Sequence, residues 1–423
     1  MNKSIPVSGS ACDQPQKASP WLSVEQAITR MTGAVKPIQD CETVAIRDAL
    51  NRVLAEEVIS GINVPPYENS AMDGYAFNSQ DLPASGEATL KLVGKSFAGI
   101  PFDGEVKPGE CVRIMTGAQM AKGTDSVIMQ EQVKADNDAI TIQSGHCKGE
   151  NVRHIGEDIK SGDAVLKVGQ QISPTELGLL ASLGVANVSV KKPVRVAFFS
   201  TGDELRNVDE QLEEGQIYDS NRYTLFGMLK QLGVELIDMG IFPDDREAIE
   251  TAFKQAAQQA DAIITSGGVS VGEADFVKET LDKLGKVDFW KIAMKPGKPL
   301  AFGFVDNAVF FGLPGNPVSV MATFYQFAMP TLKTMMGYTA VKPLVVKVAC
   351  KTNLRKSPGR TDFQRGILQA NDKGELTVET IGMQGSHMLS GMSKANCFIV
   401  LPADCGNVEA GTLVDVQPFH GLM

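Results

Sequence analysis

Three lysines lie close together in a segment of the chain that also contains proline and glycine. Lys291, Lys295 and Lys298 belong to the sequence KIAMKPGKP. Helical spacing would put the three ammonium groups on one face, but the prolines and the glycine disfavour a helix. A constrained loop that presents several ammonium groups is typical of phosphate or oxyanion binding. A solvated basic loop would carry the same residues, and the sequence leaves both interpretations open.

Carboxylates in other polar loops could bind a metal ion beside these lysines. They are Glu204, Asp244, Asp245, Glu273 and Asp275. Carboxylate oxygens next to a phosphate site suit Mg²⁺, a hard cation that keeps several of its waters. Helix capping is the alternative, above all for Asp244 and Asp245, which directly precede a predicted helix. Spacing alone does not decide between the two roles.

Two further loops combine glycine or proline with a predicted helix start. The sequence SGG at 266–268 ends an apolar run, and glycine there allows a ligand to approach the backbone closely. In LPGNP at 313–317, Asn316 suits an N-cap and Pro317 the first helical turn. A helix start directs N–H groups and a positive dipole end towards an anion. A tight turn without a ligand is the alternative for each loop. The four histidines occur in neither a catalytic triad motif nor a structural zinc pattern.

Alternating strands and helices place these loops along one edge of a predicted sheet. Apolar runs of strand length begin near residues 194, 234, 262 and 308, each with a helical segment after it. This order predicts a doubly wound parallel sheet covered on both faces, with the ligand crevice beyond the carboxyl ends of its strands. The TGDEL, PDD, SGGVSVGEAD and LPGNP loops all fall at those ends. Four loops on one rim are stronger evidence for a site than any single loop.

The rest of the chain divides by composition. Capping boxes at Ser23 and Ser173 predict two helices, and a further helical run is predicted at about Ile46–Glu57. Between them the chain is rich in Gly, Pro, Val and Thr, which predicts an inserted β domain. We therefore expect a flexible tail at 1–20, a split helical domain at 21–62 and 155–192, the inserted β domain at 63–154, an α/β domain at 193–338, and a C-terminal β-barrel domain at 339–423.

Composition narrows the classes of function. The 423 residues include 40 Lys and Arg against 50 Asp and Glu, a net charge of −10 that argues against a general nucleic-acid binder. No apolar stretch has the length of a membrane-spanning helix, and the polar N-terminus lacks the core of a signal peptide. Seven scattered cysteines without a C-x-x-C pair are typical of reduced thiols. We expect a cytoplasmic protein with no membrane association.

Seven ordered motifs resemble those of the molybdopterin molybdotransferases, the bacterial molybdenum insertases, which are homologous to the C-terminal end of gephyrin. The motifs are PPYENSAMDGYAF (65–77), RIMTGA (113–118), TGDEL (201–205), YDSN (218–221), SGGVSVGEAD (266–275), KPGKP (295–299) and LPGNP (313–317). The resemblance extends from about Trp21 to the C-terminus and leaves only the N-terminal tail outside it.

The resemblance implies both an architecture and a reaction. The implied architecture is an elongated homodimer whose protomer has a molybdopterin-binding α/β domain, a split helical domain, an inserted β domain and a C-terminal β-barrel. The implied reaction converts adenylylated molybdopterin and molybdate into molybdenum cofactor and AMP, with Mg²⁺ or another divalent cation assisting cleavage of the pyrophosphate link. Transient protein partners would be the molybdopterin adenylyltransferase and the downstream maturation or acceptor enzymes.

The motif positions also imply residue roles. Glu204, Asp244 and Asp275 would hold the metal, and the three lysines would neutralise phosphate and molybdate charge. The catalytic set would be Asp73, Thr116, Glu204, Lys291 and Lys295. The substrate-binding set would be Ser266, Gly267, Gly268, Ser270, Lys298, Pro314, Gly315, Asn316, Pro317, Arg365 and Ser386. In this family the inserted β domain faces the crevice of the other protomer, so Asp73 and Thr116 would complete a composite site. A structural turn is the alternative for Asp73, which precedes a glycine.

Two other functions share parts of this pattern. A pterin-carrying scaffold without catalysis would keep the crevice, but the presence of Glu204, Asp275 and the three lysines argues against it. The adenylyltransferase of the preceding step shares the α/β domain but is normally compact, so the flanking domains favour the insertase. An assay of ATP-dependent adenylation separates these two enzymes.

Overall fold

The computed structural model describes residues 21–267, 276–339 and 342–419. The chain forms two compact units, one of which is Cys41–Val190. The other joins the described parts of Met1–Asp40 and Lys191–Met423. Within the described residues, no helix is long and apolar enough to cross a membrane. No disulfide bond joins cysteines within the described residues.

The first helix, α1 (Val24–Ala34), begins at the predicted capping box. The Ser23 hydroxyl accepts a hydrogen bond from the Gln26 N–H, and the Gln26 side chain accepts one from the Ser23 N–H. Ala27 and Met31 lie on its buried face. This helix contacts a later helix of the same unit, at Met329–Met335. The beginning of the described chain is therefore part of the α/β unit.

The unit Cys41–Val190 consists mainly of short strands. Its elements are β1 (Cys41–Ala45), β2 (Val58–Ile59), β3 (Asn69–Ser70), β4 (Gly74–Phe77), β5 (Glu87–Ser96), β6 (Glu110–Ile114), β7 (Ser126–Met129), β8 (Lys134–Asp136), β9 (Ala139–Gln143), β10 (Val152–Arg153), β11 (Ala164–Leu166), α2 (Pro174–Ser182) and β12 (Asn187–Lys191), which ends at its boundary. Six strands form one sheet in the order β7-β4-β6-β5-β9-β8, and β1–β12, β2–β11 and β3–β10 form pairs. Short 3-10 turns occur at Ile46–Asp48, Ser79–Asp81 and Gln130–Gln132.

One predicted helix of this unit is wrong. The stretch Ile46–Glu57 contains only the 3-10 turn Ile46–Asp48. Asn51 then has a positive φ of 64°, which a continuing helix does not allow. Ala49 and Leu54 are buried with Ile172 and Val190 in an irregular core. Their apolar spacing therefore reflects burial in a non-helical segment.

The second unit contains the predicted α/β sheet. Its elements are β13 (Arg195–Thr201), β14 (Leu205–Arg206), β15 (Ile217–Tyr218), α3 (Ser220–Leu232), β16 (Glu235–Phe242), α4 (Arg246–Gln259), β17 (Ala262–Ser266), α5 (Phe276–Leu284), β18 (Gly285–Lys291), β19 (Met294–Lys295), β20 (Pro299–Val305), β21 (Ala308–Leu313), α6 (Pro317–Thr323), the π-helical turn Phe324–Ala328 and α7 (Met329–Met335). The sheet order is β16-β13-β17-β21-β20-β18. Strands β16, β13, β17 and β21 are parallel, whereas β20 and β18 are antiparallel to their neighbours.

The antiparallel edge was not predicted, and it places the lysine segment. Strand β18 pairs along its whole length with β20, so that Lys291 lies opposite Pro299. The chain between these residues must therefore reverse at the end of the sheet. Helices α4 and α5 cover one face, where Phe253 and Leu281 pack with Phe199 and Phe310 of the strands.

The C-terminal strands close into a barrel. They are β22 (Val346–Cys350), β23 (Thr361–Ala370), β24 (Leu376–Thr380), β25 (Cys397–Leu401) and β26 (Leu413–Pro418), with α8 (Leu389–Lys394) between β24 and β25. The order β23-β24-β22-β26-β25 closes because β25 also pairs with β23. Strand β19 adds to β23 in parallel, so the lysine segment is hydrogen-bonded directly to the barrel.

Candidate functional site

A crevice of about 940 Å³ lies in the second unit, beyond the carboxyl ends of the parallel strands. It collects residues from three of the four predicted rim loops, from the lysine segment and from the barrel, but none from the PDD loop. The residues that line it are Glu204, Ile217, Gly267, Met294, Lys295, Pro296, Gly297, Lys298, Pro299, Pro314, Gly315, Asn316, Ser319, Arg360, Gln384, Gly385 and Ser386. Basic and acidic side chains therefore lie along the same cavity, as expected of a site for a long anionic ligand with a counter-cation.

Lys295 and Lys298 both line this crevice, on the segment between β18 and β20. The Ile292 N–H donates to the Lys298 carbonyl at 2.8 Å, which closes the segment into a loop. The Lys295 Nζ lies 4.0 Å from a carboxylate oxygen of Asp362 on β23. Burial raises the pKa of Asp362, and the positive charge of Lys295 only partly offsets that rise. Lys291 ends β18 with an exposed side chain and is not among the lining residues.

Asn221 connects three loops of the rim. Its side-chain amide lies 2.8 Å from the Ser266 hydroxyl and 2.7 Å from the Gly315 carbonyl, and donates to both. Gly267 accordingly lies beside the LPGNP loop, and its N–H donates to the Leu313 carbonyl. Gly267 has a φ of +95°, and a Cβ there would lie 3.1 Å from the Thr201 carbonyl oxygen, so the turn requires glycine. Pro317 starts α6 as predicted, directly behind the crevice-lining Asn316.

Several buried polar atoms around this rim have no hydrogen-bond partner among the residues that the structure describes. They are Ser200 Oγ, Thr201 Oγ1, Asp219 Oδ2, Asn221 Oδ1 and Thr265 Oγ1. Buried polar groups are normally paired, because an unpaired one loses about 1–3 kcal/mol of hydration without replacement. Their concentration at the ends of β13 and β17 and at the start of α3 fits a ligand with its own hydrogen-bond donors.

Two further carboxylates, those of Asp203 and Asp244, lie close to Glu204, which lines the crevice. The Asp203 carboxylate accepts a hydrogen bond from the Asp244 N–H at 3.1 Å. Burial raises the pKa of Asp244, and repulsion by Asp203 and Glu204 raises it further. A divalent cation would remove this repulsion, and carboxylate oxygens are the kind of ligand that suits Mg²⁺.

The predicted metal set is only partly described. Asp275, with Gly268 and Ser270 of the substrate set, lies outside the described residues. Among the described residues, no group of three or more His, Cys, Asp or Glu side chains is arranged to hold a metal ion. Glu204 and Asp244 therefore form an incomplete set by themselves.

Arg365 takes a different place from the predicted substrate contact. It is 1% exposed, and its guanidinium donates to the carbonyls of Met383, Gly385 and Met388 and to the Gln384 side chain. These bonds use the donors that an anion would need. Arg365 thus holds in place the loop that brings Gln384 and Ser386 to the crevice.

Asp73 and Thr116 come together in the other unit. The backbone N–H and the hydroxyl of Thr116 donate to one Asp73 oxygen at 2.7 and 2.8 Å. These two bonds, the backbone one first, lower the pKa of Asp73. The two motifs that carry these residues therefore form a single local feature with an exposed, ionised carboxylate.

Comparison with known proteins decides the family. Residues 22–184 match the MoeA N-terminal region (domain I and II), residues 197–334 a probable molybdopterin binding domain, and residues 347–419 the MoeA C-terminal region (domain IV). A molybdopterin molybdenumtransferase of Haemophilus influenzae is 49% identical over 404 residues, which cover 95% of this chain and 100% of that protein. The chain belongs to the molybdopterin molybdenumtransferase family.

Other molybdenumtransferases agree in sequence and fold. The molybdopterin molybdenumtransferase of Staphylococcus aureus strain COL is 35% identical over 408 residues, which cover 95% of this chain and 96% of that protein. The crystal structure of the molybdopterin biosynthesis moeA protein from Pyrococcus horikoshii OT3 matches with a TM-score of 0.81 and 28% identity, covering 94% of this chain and 100% of that one. The predicted family and multidomain fold class are confirmed.

Some residues of this molybdenumtransferase site were not predicted. Asn221 belongs to the YDSN motif, but nothing in that motif predicts that its amide links two other loops. Arg360 lines the crevice from the sequence KSPGR, where a cation follows Pro-Gly as Lys298 does in KPGK. The same pattern would have identified it. Gln384 and Gly385 reach the crevice through Arg365, a long-range contact that leaves no local signal in the sequence.

Proposed function

We propose that this chain inserts molybdenum from molybdate into adenylylated molybdopterin, which releases AMP and forms molybdenum cofactor. Family membership supports the molybdenum transfer, and the crevice supports the adenylylated form of the substrate. The observation that carries this proposal is that Lys295, Lys298 and Glu204 all line one cavity of about 940 Å³. A pterin joined to a nucleotide through two phosphates needs both features along its length.

The lysines and the rim bind and orient the substrate in this proposal. Lys295 and Lys298 neutralise charge on phosphate and molybdate oxygens and stabilise the charge that develops when the phosphoanhydride breaks. Lys291 adds longer-range positive charge from the end of β18. The cradle for pterin and phosphate consists of Gly267, the 314–317 loop and Ser266, held together by Asn221. Ser386 contributes a hydroxyl from the barrel side.

A divalent cation, for which Mg²⁺ is the first candidate, would bind beside Glu204. Glu204 and Asp244 would hold it together with Asp275. When bound, the cation would polarise the phosphate oxygens and make the phosphorus a better electrophile. The carboxylates also keep a water molecule close to the phosphoanhydride. The support for this proposal is the raised pKa of Asp244, which burial raises first and repulsion by Asp203 and Glu204 raises further.

We also propose that the enzyme is a homodimer with composite sites. Asp73 and Thr116 of one protomer would then reach the crevice of the other. Met72, next to Asp73, is 42% exposed, and it belongs to a larger set of exposed apolar side chains in the Cys41–Val190 unit: Ile59, Ile62, Tyr67, Phe97, Ile100 and Ile155. Burial of these side chains against a partner protomer would remove their apolar surface from water.

Other finer points remain predictions from the sequence. They are the four-domain boundaries, cytoplasmic location, and transient contact with the adenylyltransferase and the downstream enzymes. Contact with the adenylyltransferase would shorten the path of the substrate between the two enzymes. Size-exclusion chromatography of the two proteins, with and without adenylylated molybdopterin, tests that contact.

Release of AMP tests the main proposal. Purified protein is given adenylylated molybdopterin, with molybdate and Mg²⁺ each added or withheld. We expect AMP release that depends on molybdate and on the cation, with active molybdenum cofactor formed. The matched variant Glu204→Gln keeps the size of the side chain and removes its charge, and should bind substrate without releasing AMP. Tight binding by the unmodified protein without AMP release under any cation would instead indicate a pterin-carrying scaffold.

A further inference from the structure

The first described residues of the chain hold one edge of the lysine segment. Leu22 forms a parallel β-bridge with Ile292. Its N–H donates to the Lys291 carbonyl at 3.0 Å, and its carbonyl accepts from the Ala293 N–H at 2.8 Å. On the other edge, the Thr361 N–H donates to the Ala293 carbonyl at 2.8 Å. The lysine segment is therefore a middle strand between the beginning of the chain and the barrel.

This pairing places Trp21 against one of the two crevice lysines. The Lys298 Nζ lies 4.6 Å from the centroid of the Trp21 ring. An ammonium at this distance over an indole face is attracted by the negative face of the ring. Because Leu22 is fixed by two backbone bonds, the fold holds the Trp21 backbone beside the lysine segment.

The two crevice lysines have different partners. The Lys295 ammonium lies beside the carboxylate of Asp362, a residue that is 4% exposed. The negative charge of this carboxylate partly neutralises the ammonium. No described carboxylate forms an ion pair with Lys298, whose described side-chain partner is the ring. A carboxylate would both restrain an ammonium and neutralise it. An indole ring restrains the ammonium and leaves its full positive charge available to an anion.

We propose that Trp21 is a positioning residue that holds the Lys298 ammonium in the crevice, ready for an anionic oxygen of the substrate. The proposal rests on the role of Lys298 given under the proposed function. The anionic oxygen belongs to molybdate or to the phosphoanhydride, which share the same chemistry. Trp21 itself does not contact the reacting atoms. Its effect is to reduce the number of conformations that Lys298 loses when an anion binds.

A double-mutant cycle tests this coupling. The variants are Trp21→Leu, Lys298→Met and the two combined, and the dissociation constants of molybdate and of inorganic pyrophosphate are measured separately by calorimetry. We expect Trp21→Leu to weaken binding about two- to fivefold when Lys298 is present and to have no effect in the Lys298→Met background. The arm with the larger effect identifies the anion that Lys298 meets. Trp21→Phe keeps an aromatic face and should retain most of the affinity.

Two controls separate positioning from a structural role. Leu22→Ala keeps the backbone pairing and the ring and should leave both affinities unchanged. The chain has two tryptophans, Trp21 and Trp290, so Trp290→Phe makes Trp21 the single fluorescent tryptophan. In that protein we expect the anion to change the emission of Trp21 when Lys298 is present, but not with Lys298→Met.

The possible failures are distinguishable. One result is that Trp21→Leu weakens anion binding equally with Lys298 and with Lys298→Met, and another is that it weakens binding in neither protein. Either result overturns the positioning role of Trp21 and leaves the proposed function intact. If Lys298→Met itself binds both anions normally, the proposed role of Lys298 fails first. Melting temperatures of all variants, measured without anion, reveal any loss of fold that would affect each background alike.

Discussion

Arg365 acts at the level of a single side chain, by holding the loop that carries Gln384 and Ser386. Its planar guanidinium serves acceptors that point in several directions. A lysine ammonium cannot reproduce this arrangement. We expect Arg365→Lys to lower the free energy of unfolding by about 2–4 kcal/mol, because buried carbonyls lose their donors. Urea unfolding measures this loss, and the KM for adenylylated molybdopterin should rise as the loop moves.

Two glycines provide a matched test of the same contact. A Cβ on Gly391 would lie 2.7 Å from the Arg365 guanidinium, whereas a Cβ on Gly406 would meet nothing within 4 Å. Gly391→Ala should therefore share the KM defect, although alanine is the better helix former. Gly406→Ala should leave KM unchanged. A normal KM in both Arg365→Lys and Gly391→Ala would separate Arg365 from the site.

Thr116 controls the charge of Asp73, which gives a prediction for pH dependence. Its two hydrogen bonds lower the pKa of Asp73, so the carboxylate stays ionised further into the acidic range than an ordinary aspartate. Thr116→Val removes the hydroxyl and keeps the N–H, so the pKa of Asp73 should rise part of the way back. We expect the acidic limb of the profile of kcat/KM against pH to move to higher pH.

The control for that profile is another threonine hydroxyl of the same unit. Thr89 contacts Thr141 on an exposed part of the sheet. Thr89→Val should leave the acidic limb in place. An unshifted limb in Thr116→Val would mean that ionised Asp73 is not required for the reaction. Direct confirmation would come from Asp73→Asn, which should lose molybdenum insertion while the fold is kept.

Among the loops, the turn at Gly202 sets the position of the Glu204 carboxylate, which lines the crevice. Gly202 has a φ of +151°, and a Cβ there would lie 2.5 Å from a Glu204 carboxylate oxygen. Gly202→Ala should cost about 1–3 kcal/mol in backbone strain. It should also turn the Glu204 carboxylate away and weaken Mg²⁺ or Mn²⁺ binding by about tenfold, as loss of a supporting contact does at other metal sites.

A second glycine separates the effect of backbone strain from the effect of displacing the Glu204 carboxylate. Gly240 in β16 has a φ of +87°, and a Cβ there would meet nothing within 4 Å. Gly240→Ala should therefore lose stability without losing cation affinity. Calorimetric titration with each cation compares the two variants. Equal affinities in Gly202→Ala and the unmodified protein would argue against Glu204 as a metal ligand.

The elements that the sequence predicts well are those with local signals. The capping boxes at Ser23 and Ser173 both form, and the four parallel strands lie where the apolar runs occur. Prediction fails where the signal is not local. The 46–57 stretch has helical spacing but fills an irregular core, and the β18–β20 edge is antiparallel. Asn221 and Arg365 act through contacts between distant parts of the chain, so the loop motifs predicted the rim and not its supports.

At the scale of the whole molecule, the proposed dimer makes the active site a property of two chains. Each crevice would take Glu204 from one protomer and Asp73 from the other. A single chain with either residue substituted would form inactive homodimers. Glu204 and Asp73 lie on separate units and can be substituted in different chains. The arrangement can therefore be tested without a structure of the dimer.

Mixing two inactive variants tests that arrangement. Asp73→Asn and Glu204→Gln proteins are unfolded together and refolded, so that heterodimers form. In a composite site, one crevice of each heterodimer combines an intact Glu204 with the partner's intact Asp73, and the other crevice carries both substitutions. Random pairing then restores about a quarter of the sites of the unmodified enzyme. If each site belonged to one chain, every crevice would keep one substitution and AMP release would stay absent. The unmodified enzyme, refolded in the same way, sets the attainable activity.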